Sequence, residues 1–189
     1  MHTRVEELRG ILSAYKQVME ASWPHLHPTM AENSRHWPAL GENELAAELA
    51  GYVTQSSAGN GSVRVFWKTG PKFVFAGCNE LFARDAGLAS AEMIGIDDFD
   101  RRLPWMNQAA KYRADDREVA QSGQASLDII ERQASSAGTI TWVRAGKAPI
   151  RVGNGAVIGI LGMYELLDSA TGSRLFGDQQ IRKARAKAG

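Results

Sequence analysis

The sequence lacks the residues that several common classes of protein require. It has one cysteine, Cys78, among 189 residues, which excludes a disulfide framework and any metal site made of cysteines alone. No apolar run approaches the roughly 18 residues of a membrane span. Residues 1–10 are charged, which indicates that no signal peptide is present. We therefore expect a cytoplasmic protein without a membrane partner.

The sequence also has almost no net charge, with 22 Lys and Arg against 21 Asp and Glu. The charge is unevenly distributed: residues 1–62 have a net charge of −3, residues 63–168 of 0 and residues 169–189 of +4. A global basic field that would attract nucleic acid is absent. We therefore expect no nucleic-acid partner, and we interpret the basic tail as a frayed, solvated terminus that is helical from Gln179 onward.

Histidine is missing from most of the chain, because all four histidines precede residue 40. This makes a histidine-ligated haem in the central segment improbable. His25, His27 and His36 form the one group that resembles a zinc site, but their spacing fits no strong zinc template. We interpret them as solvent-facing histidines of a loop, and we predict no metal site.

Apolar residues recur at spacings of three and four over Thr3–Glu20, which predicts an amphipathic helix. Leu8, Leu12 and Tyr15 lie on its apolar stripe. Two interpretations are open: the helix packs on its own domain, or it forms the seam of a homodimer. The dimer hypothesis predicts that Leu12→Asp makes the protein monomeric.

Periodicity and turn residues predict the remaining elements. Residues 22–41 contain three prolines and predict a loop, Glu42–Gln55 predicts a second helix, and the small residues of 55–62 mark a domain boundary. The predicted elements that follow are strands at Val63–Lys68 and Lys72–Ala76, helices at Asn79–Ala86 and Trp105–Ser122, a short turn of helix capped by Ser90, strands at Ala125–Gln133, Thr139–Ile150 and Ala156–Leu166, and turns at Ser135–Gly138 and Gly153–Gly155.

Four segments of the central part carry a family resemblance: FVFAGCNELFARDAGL at 73–88, IGIDDFD at 94–100, QAAKYRADDREVAQSG at 108–123 and TWVRAGKAPIRVGNGAVIGILGMY at 141–164. In this order they resemble a PAS domain, of the kind found in bacterial histidine kinases and diguanylate cyclases. The resemblance implies an α+β fold with a five-stranded antiparallel sheet flanked by short helices. It divides the chain into an N-terminal helical cap at 1–62, a PAS-like domain at 63–168 and a basic tail at 169–189.

The resemblance and the strand alternation together imply a small apolar cavity that binds ligands in some members of the family. The residues predicted to line it are Phe75, Phe82, Ile94, Phe99, Met106, Tyr112, Ile129, Trp142 and Ile160. The residues predicted to shape the local structure are Asn79, Gly95, Asp97, Gly155 and Gly159. The sequence does not select a cofactor. Cys78 is interpreted as a buried apolar residue rather than a flavin-reactive thiol, and a flavin stacked on Trp105 or Trp142 stays open.

Carboxylate pairs offer a further kind of candidate chemistry. Asp115 and Asp116 are adjacent on the predicted long helix, so their side chains diverge by about 100° and do not converge on one substrate atom. We interpret the pair as part of a solvated, salt-bridged face. Asp97, Asp98 and Asp100 are interpreted as turn and cap residues.

The sequence therefore predicts a bacterial sensory or interaction module, not an enzyme, in which a ligand or partner shifts the packing of the helices. A homodimer through the N-terminal helix or a sheet face is expected. One alternative is a dimerisation adaptor that binds no ligand. Another is the sensor part of a diguanylate cyclase, since residues 168–186 resemble the start of a GGDEF domain. The last strand lacks the Asp-Ile-Thr ending that such sensors use.

Overall fold

The computed structural model describes residues 1–57, 62–134 and 138–189. The α-helices of these residues are α1 (Arg4–Ser22), α2 (Met30–Asn33), α3 (Glu42–Gln55), α4 (Glu80–Ala86), α5 (Ser90–Met93), α6 (Ala109–Ser122) and α7 (Ser169–Ala188), with 3-10 helices at Ser34–Ala39 and Met106–Gln108. The strands are β1 (Val63–Thr69), β2 (Val74–Cys78), β3 (Ser126–Ala134), β4 (Ile140–Arg151) and β5 (Val157–Leu167).

The five strands form one antiparallel sheet in the order β2-β1-β5-β4-β3. The predicted α+β fold with a five-stranded antiparallel sheet is thus confirmed. β2 and β3 are the edge strands. Residues 58–61 of the predicted boundary segment 55–62 and residues 135–137 of the predicted turn 135–138 lie outside the described residues. The division of the chain at residues 62 and 168 stays a prediction.

One face of the sheet, called here the outer face, is covered by α1 and α3. The apolar stripe of α1 packs on β4 and β5, where Ala148 and Leu161 are fully buried. The contact is close: a Cβ added to Gly10 of α1 would lie 2.2 Å from the carbonyl oxygen of Arg151. Because α1 covers the outer face of β5, neither face of this strand meets water. This accounts for its apolar residues on both faces.

The predicted dimer seam is wrong for this structure. Leu8, Leu12 and Tyr15 are at most 1% exposed, because they are packed inside the chain against its own sheet and α3. The residues that would form the seam are therefore not available to a second copy while the helix stays docked. The first interpretation of α1, a helix packed on its own domain, describes the structure.

Three local predictions need correction. The predicted loop at 22–41 contains α2 and a 3-10 helix, which bury Met30 and Trp37. The predicted long helix from Trp105 begins as a 3-10 turn, and α6 proper starts at Ala109. The N-cap of α5 is Ala89 rather than Ser90, and the Glu92 carboxylate accepts the Ala89 amide at 2.9 Å.

The basic tail is a docked helix rather than a frayed terminus. α7 begins right after β5, and the Asp168 side chain caps it by accepting the Thr171 amide at 2.8 Å. The buried Gln179 side chain accepts the amide of Ile130 at 2.9 Å and donates to the carbonyl of the same residue at 3.0 Å. These two bonds fix α7 to the free edge of β3.

None of the helices formed by the described residues combines the length and the apolar character needed to cross a bilayer.

Candidate ligand site

The inner face of the sheet, opposite α1, encloses a cavity of about 50 Å³. All five strands supply its walls, together with α4, α6 and the loop that precedes α6. Aromatic rings dominate: Phe66 and Phe82 have ring centroids 4.7 Å apart, and the Phe82 and Trp105 centroids are 5.5 Å apart. The lining residues are Phe66, Lys68, Phe75, Phe82, Asp98, Trp105, Tyr112, Glu131, Gln133, Ala145, Gly146, Lys147, Met163 and Tyr164.

A group of four charged residues, called here the ion cluster, lies at this cavity: Lys68, Asp98, Asp116 and Lys147. The Lys68 ammonium donates to Asp98 Oδ2 at 2.5 Å and to Asp116 Oδ2 at 2.7 Å. Lys147 donates to Asp116 Oδ1 at 2.6 Å. The Lys68, Asp98 and Asp116 residues are 2%, 3% and 0% exposed. Such burial is tolerated because each charge faces an opposite one.

Two opposing effects act on the pKa of Asp116. Burial disfavours the charged carboxylate and would raise its pKa. The ammonium groups of Lys147 and Lys68 outweigh this effect and hold the pKa of Asp116 below its ordinary value of 3.8. Asp116 is therefore a fixed negative charge rather than a proton donor near neutral pH.

Aromatic groups complete the surroundings of the ion cluster. The Trp105 indole donates from Nε1 to Asp98 Oδ1 at 3.0 Å, so Asp98 has a partner on each oxygen. The Lys68 ammonium lies 4.9 Å from the Phe75 ring centroid and 5.3 Å from that of Phe66. These distances are within the range of a favourable cation–π contact. The cluster is thus held in one arrangement by both charge and ring packing.

The residues predicted to shape the local structure lie at caps, turns and close strand contacts. Asn79 Oδ1 accepts the Phe82 amide at 3.1 Å as the N-cap of α4. Asp97 Oδ1 accepts the Phe99 amide at 2.9 Å in the following turn. Gly95 and Gly155 have positive φ angles of 91° and 82°. A Cβ on Gly159 would lie 2.0 Å from the Lys68 carbonyl oxygen, so β5 can approach β1 only with glycine there.

Of the nine residues predicted to line the cavity, Phe75, Phe82 and Tyr112 do so. Tyr112 donates from its hydroxyl to Gln108 at 2.7 Å, and burial raises the pKa of this tyrosine above its ordinary value. The other six residues lie elsewhere.

Three predicted residues of the α5–α6 region point to solvent. Ile94, Phe99 and Met106 are 51%, 44% and 36% exposed. In each case a neighbour takes the inner position instead, namely Met93, Asp98 and Trp105. The chain has no regular periodicity here, so the direction of each side chain depends on packing and not on spacing. The exposed Phe99 ring lies against the Arg113 guanidinium at 4.4 Å.

The three predicted strand residues are also displaced from the cavity. Trp142 lies on the outer face of β4, where its ring centroid is 5.3 Å from that of Phe176 in α7. Ile129 lines a neighbouring groove. β3 contains a bulge between Ser126 and Ile129 that alters the alternation. Ile160 is buried in the aromatic cluster but does not reach the cavity.

The sequence interpretation missed the ion cluster. Asp116 is wrongly placed on a solvated face. Asp98 lies in a turn as predicted, but its buried bond to Lys68 was not foreseen. A signal was present in the spacing of Ala109, Tyr112, Asp116 and Val119, which forms a helical stripe that contains one charge. Lys68 likewise follows Phe66 by two residues, which puts both on one face of β1.

A larger groove of about 430 Å³, called here the side groove, lies beside the cavity between α6 and β3. It shares Glu131, Ala145, Gly146 and Lys147 with the cavity lining. The Lys111 ammonium crosses between the two elements, with distances of 3.0 Å to Asp115 and 3.5 Å to Glu131. The side groove and the cavity therefore adjoin at these four shared residues.

The structure also places His27 and Cys78, which the sequence singled out as a metal-site candidate and a thiol candidate. His27 is buried, not solvent-facing, and its Nε2 lies 2.6 Å from the Tyr15 hydroxyl oxygen. Burial lowers the pKa of His27. Cys78 is half-buried beside the aromatic cluster, where burial raises the pKa of its thiol to about 11. Among the described residues, no group of three or more potential ligands could hold a metal ion.

Comparison with known proteins gives structural matches only. No family model matches the chain. No curated protein matches it. A phage VqmA–DPO complex matches with a TM-score of 0.54 at 20% identity, over 78% of this chain and 61% of that one. An RNA-binding light-oxygen-voltage (LOV) receptor matches with a TM-score of 0.53 at 19% identity, over 79% of this chain and 40% of the receptor.

A third match is a LOV domain studied with a flavin analogue, with a TM-score of 0.52 at 14% identity, over 76% of this chain and 98% of that one. At these identities the likeness concerns the fold alone. The chain spans less than two thirds of the phage VqmA and of the RNA-binding receptor, and about half of three other VqmA chains.

The residues of this cavity do not fit the flavin that the LOV neighbours suggest. Pockets for ligands of such size hold roughly 300 Å³ or more, whereas this cavity holds about 50 Å³. Trp142, one of the two predicted stacking residues, is on the opposite face of the sheet. Trp105 is present in the lining, but its indole is bonded to Asp98. The half-buried Cys78 is not part of the lining.

The comparison also corrects the prediction that nucleic acid is excluded as a partner. A protein with this fold is described as an RNA-binding receptor, so the fold and a neutral total charge do not rule out such a partner. The total charge does not predict nucleic-acid binding well, because it sums over segments of opposite net charge. The topology, the flanking helices and these matches together show that the chain has the α+β fold of PAS and LOV sensory domains.

Proposed function

We propose that this chain is a sensory domain of bacterial signal transduction that binds a small molecule in the inner cavity. It works in the cytoplasm and is not an enzyme. The observation that carries the proposal is the ion cluster beside aromatic rings: Lys68 and Asp98 offer polar contacts at a cavity lined by Phe66, Phe75, Phe82 and Trp105. A few placed polar groups in an apolar cavity are typical of small-molecule sites.

Binding rather than catalysis is supported by how the charges are used. Lys68 and Asp116 are bonded to each other and to further charged groups. A general acid or base needs a pKa near the working pH, whereas the pKa of Asp116 lies below 3.8. These groups recognise and orient a ligand without exchanging protons with it.

The signal leaves the domain through the helices that touch the sheet. β3 contributes Glu131 and Gln133 to the cavity lining, and Ile130 between them is bonded to Gln179 of α7. A ligand that favours one position of β3 therefore changes the stability of α7 docking. The change is a shift between two populations of the same fold.

Native mass spectrometry and an absorption spectrum of the purified chain test the proposal. We expect a small molecule that is retained in native spectra and lost on denaturation. Ala145→Leu fills the cavity and should abolish retention, whereas Ala156→Leu in an exposed turn should not. Undiminished retention in a folded Ala145→Leu protein would show that the ligand binds elsewhere.

A second candidate function, nucleic-acid binding by α7, is favoured by its charges. Arg182, Lys183, Arg185 and Lys187 are exposed and make no ion pair with any residue that the structure describes. Such cations can neutralise phosphates and release counterions. The double variant Arg182→Ala/Arg185→Ala should weaken binding to a labelled RNA or DNA duplex by about tenfold at low salt.

The matched control for this second candidate is Arg174→Ala, which removes a cation that already faces Asp178 at 3.8 Å. It should weaken binding less. Affinity that does not fall with rising salt concentration, or that is the same for all three proteins, would argue against a nucleic-acid surface on α7.

A further inference from the structure

The charges around the inner cavity are balanced pair by pair. Lys68 faces Asp98 and Asp116, Lys147 faces Asp116, and Lys111 faces Glu131 from the outside. Inside the ion cluster two ammonium groups therefore meet two carboxylates, and at its edge Lys111 is shared between Glu131 and Asp115. Each cation at the cavity already has an anionic partner, and each anion has a cationic one.

A second carboxylate near the cavity wall, Asp85, also has a cationic partner. The Tyr164 hydroxyl, which belongs to the lining, donates to Asp85 Oδ2 at 2.7 Å. The Arg64 guanidinium neutralises Asp85 through contacts of 2.8 and 3.3 Å. The tyrosine is held un-ionised, since burial and the Asp85 charge raise its pKa well above the ordinary value. This side of the cavity therefore offers no uncompensated charge either.

Hydrogen-bonding capacity is nevertheless left over. An ammonium group has three N–H donors, and Lys68 gives one to Asp98 and one to Asp116. Among the described residues these two carboxylates are the oxygen acceptors of the Lys68 ammonium, whose nitrogen also lies 4.9 Å from the Phe75 ring centroid and 5.3 Å from that of Phe66. One N–H is thus left for another acceptor. Lys68 itself belongs to the cavity lining. A ligand acceptor placed in the cavity can take this bond.

We infer that the cavity selects an uncharged small molecule with a hydrogen-bond acceptor and an apolar edge. The inference rests on the proposed function and names the ligand class for that site. An anion would need a cation that is not already committed, and a cation would need a free carboxylate. A charged ligand would therefore lose its hydration without a partner in return. A neutral acceptor loses less and gains the Lys68 bond and contact with the rings.

The test uses two sets of isosteric probes that differ in charge: acetamide, acetate and acetamidinium, and the ring analogues benzamide, benzoate and benzamidinium. Affinity is measured at neutral pH by titration of the ¹⁵N-labelled full chain, following the Trp105 indole and the amides of β1 and β3. We expect an amide to bind at least about tenfold more tightly than both of its charged analogues.

Glu131→Gln removes one carboxylate from the balanced set while keeping its shape. It should raise the affinity for acetate or benzoate several fold relative to that for the amide. It should lower the affinity for the amidinium. Glu42→Gln, on the exposed surface of α3, is the matched control and should change neither ratio. Unchanged ratios in Glu131→Gln would overturn the electrostatic basis of the inference.

The remaining outcomes separate the inference from the proposed function. A charged probe that binds the native chain as tightly as its amide overturns the ligand class but leaves a ligand-binding cavity. If none of the six probes shifts the resonances of the cavity, both the ligand class and the cavity as a binding site are overturned.

Discussion

The two faces of the sheet bury different types of side chain. The outer face buries mainly aliphatic side chains such as Leu8, Ile11 and Leu161 under α1 and α3. The inner face buries aromatic rings and, among them, the ion cluster. Both faces are covered by helices, but a cavity with buried charges lies on the inner face.

This difference separates stability from recognition. A close-packed aliphatic layer stabilises the fold in proportion to its buried area and leaves no room for a ligand. Buried ion pairs contribute little net stability, because desolvation offsets most of their attraction. Charges retained at a cavity are therefore better explained by what they can bind. Substitutions on the two faces should have different consequences.

The largest effect is expected on the outer face. Leu12→Asp places a carboxylate in a fully buried aliphatic layer and should reduce the free energy of unfolding by on the order of 4 kcal/mol or more. Urea denaturation followed by circular dichroism measures it. Ser13→Asp, one residue away and exposed, should change the stability by less than about 0.5 kcal/mol. A folded, stable Leu12→Asp protein would contradict the packing of α1.

A smaller loss is expected when the ion cluster loses its central cation. Lys68→Met leaves Asp98 and Asp116 with fewer partners in a buried site and should cost about 3 kcal/mol. Lys111→Met removes an exposed ammonium and should cost less than about 1 kcal/mol. Adding Asp98→Asn to Lys68→Met should recover part of the loss, and a double variant that is even less stable would contradict the pairing.

The ion cluster should also make stability depend on pH. The folded-state pKa of Asp116 lies below the 3.8 expected for the unfolded chain. Its contribution is therefore present above that value and is lost as the pH falls through the folded pKa. The free energy of unfolding should decrease as the pH falls below about 4, and less steeply in Asp116→Asn. Equal slopes for the two proteins would show that Asp116 is not held ionised.

The smallest effect is expected at the edge of the sheet. Gln179→Ala removes both side-chain bonds to the Ile130 backbone and should cost about 1–2 kcal/mol locally. Hydrogen exchange of the Ile130 amide should accelerate, while amides of the central strand β5 stay protected. Gln180→Ala, at the exposed neighbour, is the control, and a similar acceleration there would contradict the role of Gln179.

Regular segments could be predicted because their periodicity is set by the backbone. The bounds of α3 match the predicted Glu42–Gln55. α4 ends at Ala86 as predicted and is capped by Gly87, whose φ of 72° suits glycine. The antiparallel sheet also follows the prediction. The least predictable part was the stretch around Ile94, Phe99 and Met106. There each predicted cavity residue is exposed, and the residue just before it in the sequence is buried instead.

The polar part of the site was harder to predict than its aromatic part. Phe75 and Phe82 could be placed in the cavity because large apolar side chains favour burial wherever they occur. Lys68 and Asp116 are usually exposed residue types, and burial becomes favourable for them when partners from β1, β4, α6 and the loop at Asp98 meet. Those partners are separated by 30 to 48 positions along the chain.

The sequence by itself determined most of the strands and longer helices and the apolar stripe of α1, because these depend on local spacing and turn residues. The tertiary structure decided which face α1 covers, that α7 docks through Gln179, and that four charges meet at an aromatic cavity. These features depend on contacts between segments that are distant in the sequence. Such contacts cannot be inferred from a periodicity or from a total charge of nearly zero.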